Sequence, residues 1–347
     1  MKNISDIDKN FKIETKIDKP DIKFYDIKQK PFKIYGVEHI DGMYRRMPVS
    51  VAENTSEGVA GLYKCAAGGR VRFKTDSPYL ALNIKYGYCG KMSHFAYSGS
   101  IGFDLYIKKD GKEIYWKSYI PPVDVIDSFE QVQPLDITGM TEIVINFPTY
   151  SSVKELYIGV SETATVCEPT PYKYETPIVY YGSSITQGGC SSRPGMTYQS
   201  IISRRFDTNF INLGFSGSAK GEDAMAEYIK TLPMSVFVYD YDHNAPDVEH
   251  LKNTHERMYK IIREANPDLP IIMLGAPKYD YPKDRFAVIK ATYDNAKARG
   301  ENVYLLNGKQ LMELAGYDGT VDYCHPNDLG FVSMAKAVGD VLEEILK

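Results

Sequence analysis

The stretch Ile178-Val179-Tyr180-Tyr181-Gly182-Ser183-Ser184-Ile185-Thr186 decides how the second half of this chain folds. Its first four residues are apolar, which is typical of a strand buried on both faces of a sheet. Gly182 and Ser183 interrupt the run, so we expect a turn from strand to helix that carries Ser184. A serine in that place is a candidate for acyl-transfer chemistry if a base and an acid lie nearby.

The same alternation continues to the end of the chain. Further apolar runs that predict buried strands lie at residues 210–213, 236–239, 271–274 and 303–306. Apolar residues recur at three- and four-residue steps over 248–265 and 331–345, which is the pattern of an amphipathic helix. Strands alternating with helices predict a mostly parallel sheet with helices on both faces. Reactive groups in such sheets gather at the carboxyl ends of the strands, and Ser184 follows the first strand.

The first half of the chain has short strand patterns and little helical periodicity. Strand-forming segments lie at residues 71–75, 80–84, 142–147 and 155–160. Asp110-Gly111 separates two more strand candidates, 103–107 and 113–116, and predicts a hairpin because both residues tolerate positive φ. These patterns favour an antiparallel β-sandwich.

A linker divides the two patterns. Residues 168–172 contain two prolines and no apolar period. We therefore expect a sandwich domain over residues 1–172 and an α/β domain over residues 173–347. At 347 residues the chain is long enough for each domain to bury its own core.

Composition and charge exclude several classes of function. The hydrophobic fraction of 43% and the charged fraction of 25% are typical of a soluble globular protein. A net charge of -4 without a dense Lys/Arg block argues against nucleic acid or anionic lipid as a general partner. The first eight residues lack the apolar core of a secretory signal, and no later stretch is long enough to span a bilayer. These features predict a cytoplasmic protein without a membrane partner, and they leave a homo-oligomer open.

The cysteines indicate reduced thiols. The chain has five, namely Cys65, Cys89, Cys167, Cys190 and Cys324. They are odd in number, scattered and without CxxC spacing, which does not suggest a disulfide framework or a zinc site. We expect a reaction that needs neither a metal nor an organic cofactor.

Four segments at the predicted strand ends and before the last helix carry groups suited to acyl transfer. They are residues 182–186, 212–217, 240–246 and 322–326. A serine hydroxyl attacks an ester only when a base removes its proton, and histidine is neutral yet basic near pH 7. Asp322 and His325 lie three residues apart in a predicted turn, so the carboxylate can bond one ring nitrogen and fix its tautomer. The developing oxyanion needs donors, which a glycine backbone and an amide side chain can supply.

The order of these four segments resembles the SGNH (GDSL-type) hydrolase superfamily, over about half of the chain from residue 178 to the end. The resemblance implies a flavodoxin-like domain and a nucleophile in the first block, at Ser184. It also implies that His325 is the general base and that Asp322 orients it. The backbone N–H of Ser184, Gly217 of the second block and Asn244 of the third block would form the oxyanion hole.

The sequence departs from the family pattern at two places. Ser183 stands where block one commonly has an aspartate, and His243 stands where a glycine usually precedes the asparagine of block three. The missing aspartate is not the proton-transfer base, so the resemblance still implies the same mechanism. Asn244 could instead cap the following helix, and Gly217 could be an ordinary turn glycine. We interpret His243 as a structural loop residue.

Gly102-Phe103-Asp104-Leu105-Tyr106 carries a second resemblance. It looks like the GxDLY signature of a jelly-roll-like sandwich domain that precedes SGNH domains in a group of bacterial esterases. Residues 188–195 also look like that group, so the resemblance extends over nearly the whole chain. Members of the group are regarded as carbohydrate esterases.

Together these features predict a serine esterase that removes short acyl groups, acetyl in particular, from a small acylated carbohydrate. Arg193 and His94 are candidate substrate contacts, although a solvent-facing Arg193 and an ordinary loop position for His94 stay open. The sandwich would be a sugar-binding module or one wall of the cleft, and we favour the wall because clefts often form between domains. The alternatives are a lipid or thioester acylhydrolase, a carbohydrate acyltransferase, and a carbohydrate-binding protein with an inactive hydrolase domain.

Overall fold

The computed structural model describes residues 13–280 and 282–347, so the first twelve residues of the predicted sandwich range 1–172 lie outside the described residues. The strands of the first half are β1 (Ile22–Asp26), β2 (Lys33–Tyr35), β3 (Glu38–Ile40), β4 (Met43–Arg45), β5 (Arg70–Thr75), β6 (Tyr79–Tyr88), β7 (Phe103–Lys109), β8 (Lys112–Tyr119), β9 (Ser128–Pro134), β10 (Thr141–Asn146), β11 (Ser152–Ser161) and β12 (Val166–Cys167). Short helices lie among them, α1 (Val49–Thr55), α2 (Glu57–Leu62) and α3 (Tyr97–Ser100).

Most of these strands form two antiparallel sheets. One has the order β1-β11-β6-β9, and the other has the order β12-β5-β10-β7-β8 with β2 also paired to β5. The two sheets share one apolar core, to which Leu82 and Ile84 contribute from the first sheet and Phe73 and Ile143 from the second. The alternating side chains therefore fill the space between two sheets, as in other sandwiches. The antiparallel sandwich predicted from the sequence is confirmed.

The predicted hairpin joins β7 and β8. Lys109 pairs with Lys112, which leaves Asp110 and Gly111 as a two-residue turn. Their φ angles are 51° and 77°. Positive φ at both central residues is what a type I′ turn requires, and it explains the Asp-Gly dipeptide.

Helices α1 and α2 belong to the first half of the sequence but pack on the second half. Ala52 of α1 and Val59 of α2 share a core with Leu213 and Phe215, which lie beyond the linker. These helices were not predicted from the sequence. They are only 7 and 6 residues long, which is too short for a clear 3.6-residue period.

The second half alternates strands and helices. Its elements are β13 (Tyr174–Gly182), α4 (Ser184–Gln187), α5 (Tyr198–Phe206), β14 (Thr208–Gly214), α6 (Asp223–Ile229), β15 (Val236–Asp240), α7 (Val248–Ala265), β16 (Ile271–Leu274), α8 (Lys283–Ala298), β17 (Val303–Leu306), α9 (Gly308–Leu311) and α10 (Asp328–Ile345). Single turns of 3₁₀-helix cover Pro194–Met196 and Gly316–Gly319.

The five strands β13 to β17 form one parallel sheet with the order β14-β13-β15-β16-β17. This is the flavodoxin-like order. Val179 and Tyr181 of β13 face one apolar core, while Ile178 and Tyr180 face another. Each central strand is thus buried on both faces, which explains its continuous apolar run and confirms the predicted α/β domain. No helix among residues 13–280 and 282–347 is long and apolar enough to cross a membrane.

Candidate active site

The order of the parallel strands reverses at β13, which lies between β14 and β15. In open α/β sheets the crevice outside the carboxyl ends of the strands at such a reversal is where ligands bind. Ser184 comes directly after β13, and residues 241–244 come directly after β15. The fold therefore places two of the predicted segments side by side.

Ser184 is the first residue of α4 and is 8% exposed. Ser183 is the N-cap, and its side chain accepts a hydrogen bond of 3.2 Å from the backbone N–H of Ile185. Gly182 is tightly enclosed, because a Cβ there would lie 2.2 Å from Oδ1 of Asp240. The turn thus needs glycine and then a capping residue, which Ser183 supplies where the family commonly has aspartate.

The structure brings Ser184, His325 and Asp322 together in one hydrogen-bonded chain. Oγ of Ser184 lies 2.9 Å from Nε2 of His325, and Nδ1 of His325 lies 2.7 Å from Oδ2 of Asp322. Since a carboxylate only accepts, the proton on Nδ1 donates to Asp322, and Nε2 is free to accept from the serine hydroxyl. This is the arrangement that a serine nucleophile needs.

Asp322 is held as a carboxylate. Burial acts to raise the pKa of Asp322, but hydrogen bonds from the backbone and ring of His325 and from the backbone of Cys324 lower it to about 2. The two backbone bonds to its Oδ1 are 3.0 Å from Cys324 and 2.7 Å from His325. A negative charge at this position favours an imidazolium on the neighbouring ring.

The predicted oxyanion donors differ in whether they already have a hydrogen-bond partner within the protein. Among the described residues, the backbone N–H groups of Ser184 and Gly217 have no hydrogen-bond partner. Gly217 has a φ of 66°, a backbone conformation that favours glycine. A Cβ at this position would meet no atom within 4 Å, so steric crowding is not the reason for glycine here. The side-chain amide of Asn244 donates 3.0 Å to the carbonyl of Phe215. One of its two N–H groups is therefore used to hold the loop after β14, and the other is left for a ligand.

Asp240 is a buried acid that was not predicted from the sequence as a site residue. Its Oδ1 accepts 2.8 Å from the hydroxyl of Thr186 and 3.3 Å from the backbone of Ser183. Burial raises the pKa of Asp240 to about 7, against the lowering effect of those hydrogen bonds. An acidic residue at the end of a buried parallel strand was the available signal.

His94 reaches the site from the sandwich, whereas His243 is enclosed. The ring centroids of His94 and His325 are 5.5 Å apart, and His94 is exposed. The sandwich therefore contributes to one side of the site. Burial, together with nearby Lys278, His325 and Arg285, lowers the pKa of His243 to about 3. His243 is neutral near pH 7, in keeping with a structural loop residue.

Arg193 contacts the sandwich. Its Nε lies 3.6 Å from Oδ2 of Asp104, and its guanidinium lies 4.0 Å from the ring centroid of Tyr115. The positive charge of Arg193, in the second half of the chain, thus lies against Asp104 and Tyr115 of the first half. Contact of Arg193 with substrate stays a prediction.

The GxDLY residues clamp the segment that follows Ser184. Asp104 is buried, and its two oxygens accept 2.8 Å bonds from the side chain of Asn146 and the backbone of Gly195. A Cβ on Gly195 would lie 2.5 Å from the ring of Tyr106 and 2.7 Å from Asp104. A Cβ on Gly102 would lie 2.7 Å from the carbonyl of Ser98. The Asp and Tyr of the signature therefore serve a close approach between the two halves, whereas its Gly allows a close approach within the sandwich.

The flavodoxin-like sheet, with serine, histidine and aspartate at the reversal of its strand order, is the fold and site arrangement of the SGNH class of hydrolases. Residues 175–343 match the GDSL-like lipase/acylhydrolase family, and residues 22–166 match the family described as the N-terminus of SGNH-hydrolase-type esterases. The chain belongs to this two-part group of SGNH-type esterases. No curated protein matches the chain.

Solved structures agree in fold. A Bacteroides ovatus ATCC 8483 protein named as a GDSL-like lipase is 29% identical, with a TM-score of 0.84 over 94% of this chain and 98% of that chain. The salicylyl-acyltransferase SsfX3 of a tetracycline biosynthetic pathway is 18% identical, with a TM-score of 0.75 and the same coverage of 94% and 98%. An acetyl xylan esterase from Butyrivibrio proteoclasticus is 12% identical, with a TM-score of 0.60 over 94% and 98%. The last two similarities show a shared fold.

Proposed function

We propose that this protein is a serine esterase that removes short acyl groups, acetyl in particular, from carbohydrate esters. The observation that carries the proposal is the hydrogen-bonded chain from Ser184 Oγ through His325 to Asp322. The acetyl xylan esterase and the family two carbohydrate esterases with a similar fold support the carbohydrate ester as substrate class.

Acylation begins with proton transfer at His325. Nε2 takes the hydroxyl proton of Ser184 as Oγ attacks the ester carbonyl, and Asp322 stabilises the imidazolium that forms. The oxyanion is stabilised by the backbone N–H groups of Ser184 and Gly217 and by the amide of Asn244. His325 then protonates the sugar oxygen, which leaves as an alcohol. The acyl group stays on Ser184.

Deacylation repeats these steps with water. His325 takes a proton from the water molecule as it attacks the acyl-enzyme, and Ser184 recovers its proton when acetate leaves. The five cysteines are unpaired, which supports a reducing compartment, and we propose that the enzyme acts on soluble oligosaccharides in the cytoplasm.

Exposed aromatic rings support a sugar as the alcohol part of the substrate. Tyr317 and Tyr323, on either side of the Asp322 turn in the sequence, are 59% and 60% exposed. Large exposed apolar side chains beside a site often mark the surface that a ligand covers. Tyr323, the neighbour of Asp322, and His94, whose ring centroid lies 5.5 Å from that of His325, would form part of the rim around the nucleophile.

The test is release of acetate from acetylated xylo-, manno- and pectic oligosaccharides. We expect release from at least one class and a loss on the order of 10⁶-fold in kcat for Ser184→Ala. A series of p-nitrophenyl esters should show activity that falls beyond butyrate. Activity that instead rises with chain length would favour a lipid or thioester acylhydrolase and would contradict the proposal.

The similarity to the salicylyl-acyltransferase supports a second candidate, in which a sugar hydroxyl replaces water in deacylation. Both reactions share the acyl-enzyme on Ser184. Mass spectrometry of products formed from an acyl donor and free sugar separates them. Acylated sugar as the main product would favour transfer, and free acid would favour hydrolysis.

A further inference from the structure

His94, Cys190 and His325 form a cluster that joins three distant parts of the chain. One potential ligand atom from each residue lies within 4.8 Å of the other two. His94 comes from the loop after β6, Cys190 from the segment after α4, and His325 from the turn before α10. Because their sequence positions are far apart, no motif spacing marks this cluster.

The backbone around the cluster is fixed. The N–H of Cys190 donates 3.0 Å to the carbonyl of Pro326, the residue after His325. Phe95, which follows His94, packs in a buried group with Cys190 and Tyr150. Thus the thiol and the two rings are held near one another by main-chain and apolar contacts. The exposed His94 side chain is the part with room to move.

His325 already has the partner that a metal-bound histidine requires. Its Nδ1 bonds Asp322 at 2.7 Å, which leaves the lone pair of Nε2 facing the site. Histidine ligands of zinc usually donate their other ring N–H to a carboxylate in this way, which fixes the ring and raises its basicity. His325 is therefore suited to bind a metal through Nε2, because its hydrogen bond to Asp322 orients the ring.

The ligand atoms of the cluster indicate which metal ion it would bind. Two imidazoles and one thiolate suit Zn²⁺, whereas Mg²⁺ and Ca²⁺ prefer oxygen ligands. Tetrahedral Zn²⁺ bonds of about 2.0–2.3 Å place ligand atoms about 3.4–3.6 Å apart, so a movement of about 1 Å closes the cluster.

We propose that His94, Cys190 and His325 bind a Zn²⁺ ion, and that this ion switches the enzyme off. Zn²⁺ on Nε2 of His325 occupies the lone pair that accepts the hydroxyl proton of Ser184, which lies 2.9 Å away. Ser184 then has no base. Binding itself depends only on the three ligands, whereas inhibition rests on the proposed function.

The binding test uses Co²⁺ and Zn²⁺ with the full chain and no substrate. We expect one equivalent of Co²⁺ to give a thiolate-to-metal absorption band that Zn²⁺ abolishes. His94→Ala and Cys190→Ser should each weaken binding by at least about tenfold, and His94→Ala, a change at an exposed side chain, should retain the unfolding midpoint of the metal-free protein. Cys324→Ala is the matched control, because this cysteine adjoins His325 but its sulfur lies outside the cluster. No band, or a band lost only in the control, would overturn the site.

The inhibition test uses ester hydrolysis. Zn²⁺ should inhibit the wild-type enzyme, a chelator should restore activity, and Cys190→Ser should require at least about tenfold more Zn²⁺ for the same inhibition. Full activity with the site occupied would overturn the switch. A protein that shows the Co²⁺ band but hydrolyses no ester would refute the proposed esterase and the switch while supporting the metal site.

Discussion

Ser184 owes its chemical environment to groups on both sides of the turn that carries it. His325 and Asp322 lie on the exposed side, whereas Asp240 lies beneath the turn, bonded to Thr186 and Ser183. His325 would transfer the proton, and Asp322 would orient its ring and stabilise the imidazolium. Asp240 positions the turn without contacting the reacting atoms.

Asp322→Asn tests the orienting acid. The amide keeps the shape but loses the charge that supports the imidazolium, so kcat should fall by roughly 10³–10⁴-fold. Steady-state kinetics with p-nitrophenyl acetate measure it. Asp318→Asn, a nearby acid on the 3₁₀ turn Gly316–Gly319, is the control and should keep wild-type kcat. An unchanged kcat in Asp322→Asn would remove Asp322 from the mechanism.

Asp240 should make stability depend on pH. Its pKa in the folded protein is about 7, above the ordinary 3.8, so the folded state holds this proton more tightly than the unfolded state. The contribution of Asp240 to stability is therefore largest below pH 4 and is lost as pH rises from about 4 to about 7. Asp240→Asn should remove this slope.

Thermal unfolding between pH 4 and pH 8 measures the effect. The unfolding midpoint of Asp240→Asn, relative to that of the wild-type protein, should rise with pH and level off above pH 7. Thr186→Val, which removes the hydroxyl donor to Oδ1 and so raises the pKa of Asp240 further, should extend the wild-type trend to higher pH. If the difference in unfolding midpoint between Asp240→Asn and the wild-type protein does not change with pH, Asp240 does not titrate in this range.

At the scale of elements, the loop between α4 and α5 connects the nucleophile to the sandwich. Asp104 accepts from Gly195 in this loop, while Asp328 at the start of α10 accepts 2.8 Å from the backbone of Ser192. Cys190 bonds Pro326 in the same region. These contacts tie the turn of Ser184 to the turn of His325, so the sandwich stabilises the distance between nucleophile and base.

Asp104→Ala should disturb both stability and activity. The substitution leaves the side chain of Asn146 and the backbone of Gly195 without their acceptor, which costs about 2–4 kcal/mol of unfolding free energy. Urea unfolding measures the loss, and kcat/KM should fall with it because the loop loses its anchor. Asp124→Ala, an exposed acid of the sandwich, should change stability by no more than about 0.5 kcal/mol. Equal stability of the two variants would contradict the anchoring role.

At the scale of the whole molecule, the two halves are not independent. Arg46 is buried and donates 2.5 Å to the carbonyl of Gly214 and 2.7 Å to that of Leu62. Helices α1 and α2 complete one core of the parallel sheet. The linker at residues 168–172 therefore separates two sequence patterns, but the two halves that it joins share a core.

Residues 173–347 alone should not form a stable domain. Without α1 and α2, apolar surface on one face of the sheet is exposed to water, and Gly214 loses the Arg46 donor. Circular dichroism and limited proteolysis of this fragment should show loose packing. A full chain cut at a protease site inserted within residues 168–172 is the control, and its two parts should elute together from size-exclusion chromatography. A cooperative thermal transition of the isolated fragment would contradict this expectation.

Local patterns in the sequence were enough to predict β5 to β8, β10, β11, the hairpin at Asp110-Gly111 and the alternation of strands and helices in the second half, whereas β1 to β4, β9 and β12 were not predicted. Burial of a strand or helix on one or two faces produces a regular spacing of apolar residues in the sequence, and a tight turn requires particular residues. Contacts between distant residues leave no such period. For this reason the sequence did not predict the hydrogen bond that Gly195 donates to Asp104, the packing of α1 on the second half, or the cluster of His94 with Cys190.

Covalent labelling is the sharpest test of whether His325 activates Ser184 as a nucleophile. A fluorophosphonate should add once to the intact protein, and peptide mass spectrometry should place the adduct on Ser184. His325→Ala should label far more slowly, since its Ser184 lacks the base that lies 2.9 Å away. An adduct on another residue would show that Ser184 is not the nucleophile, and labelling of His325→Ala at the wild-type rate would show that His325 is not its base.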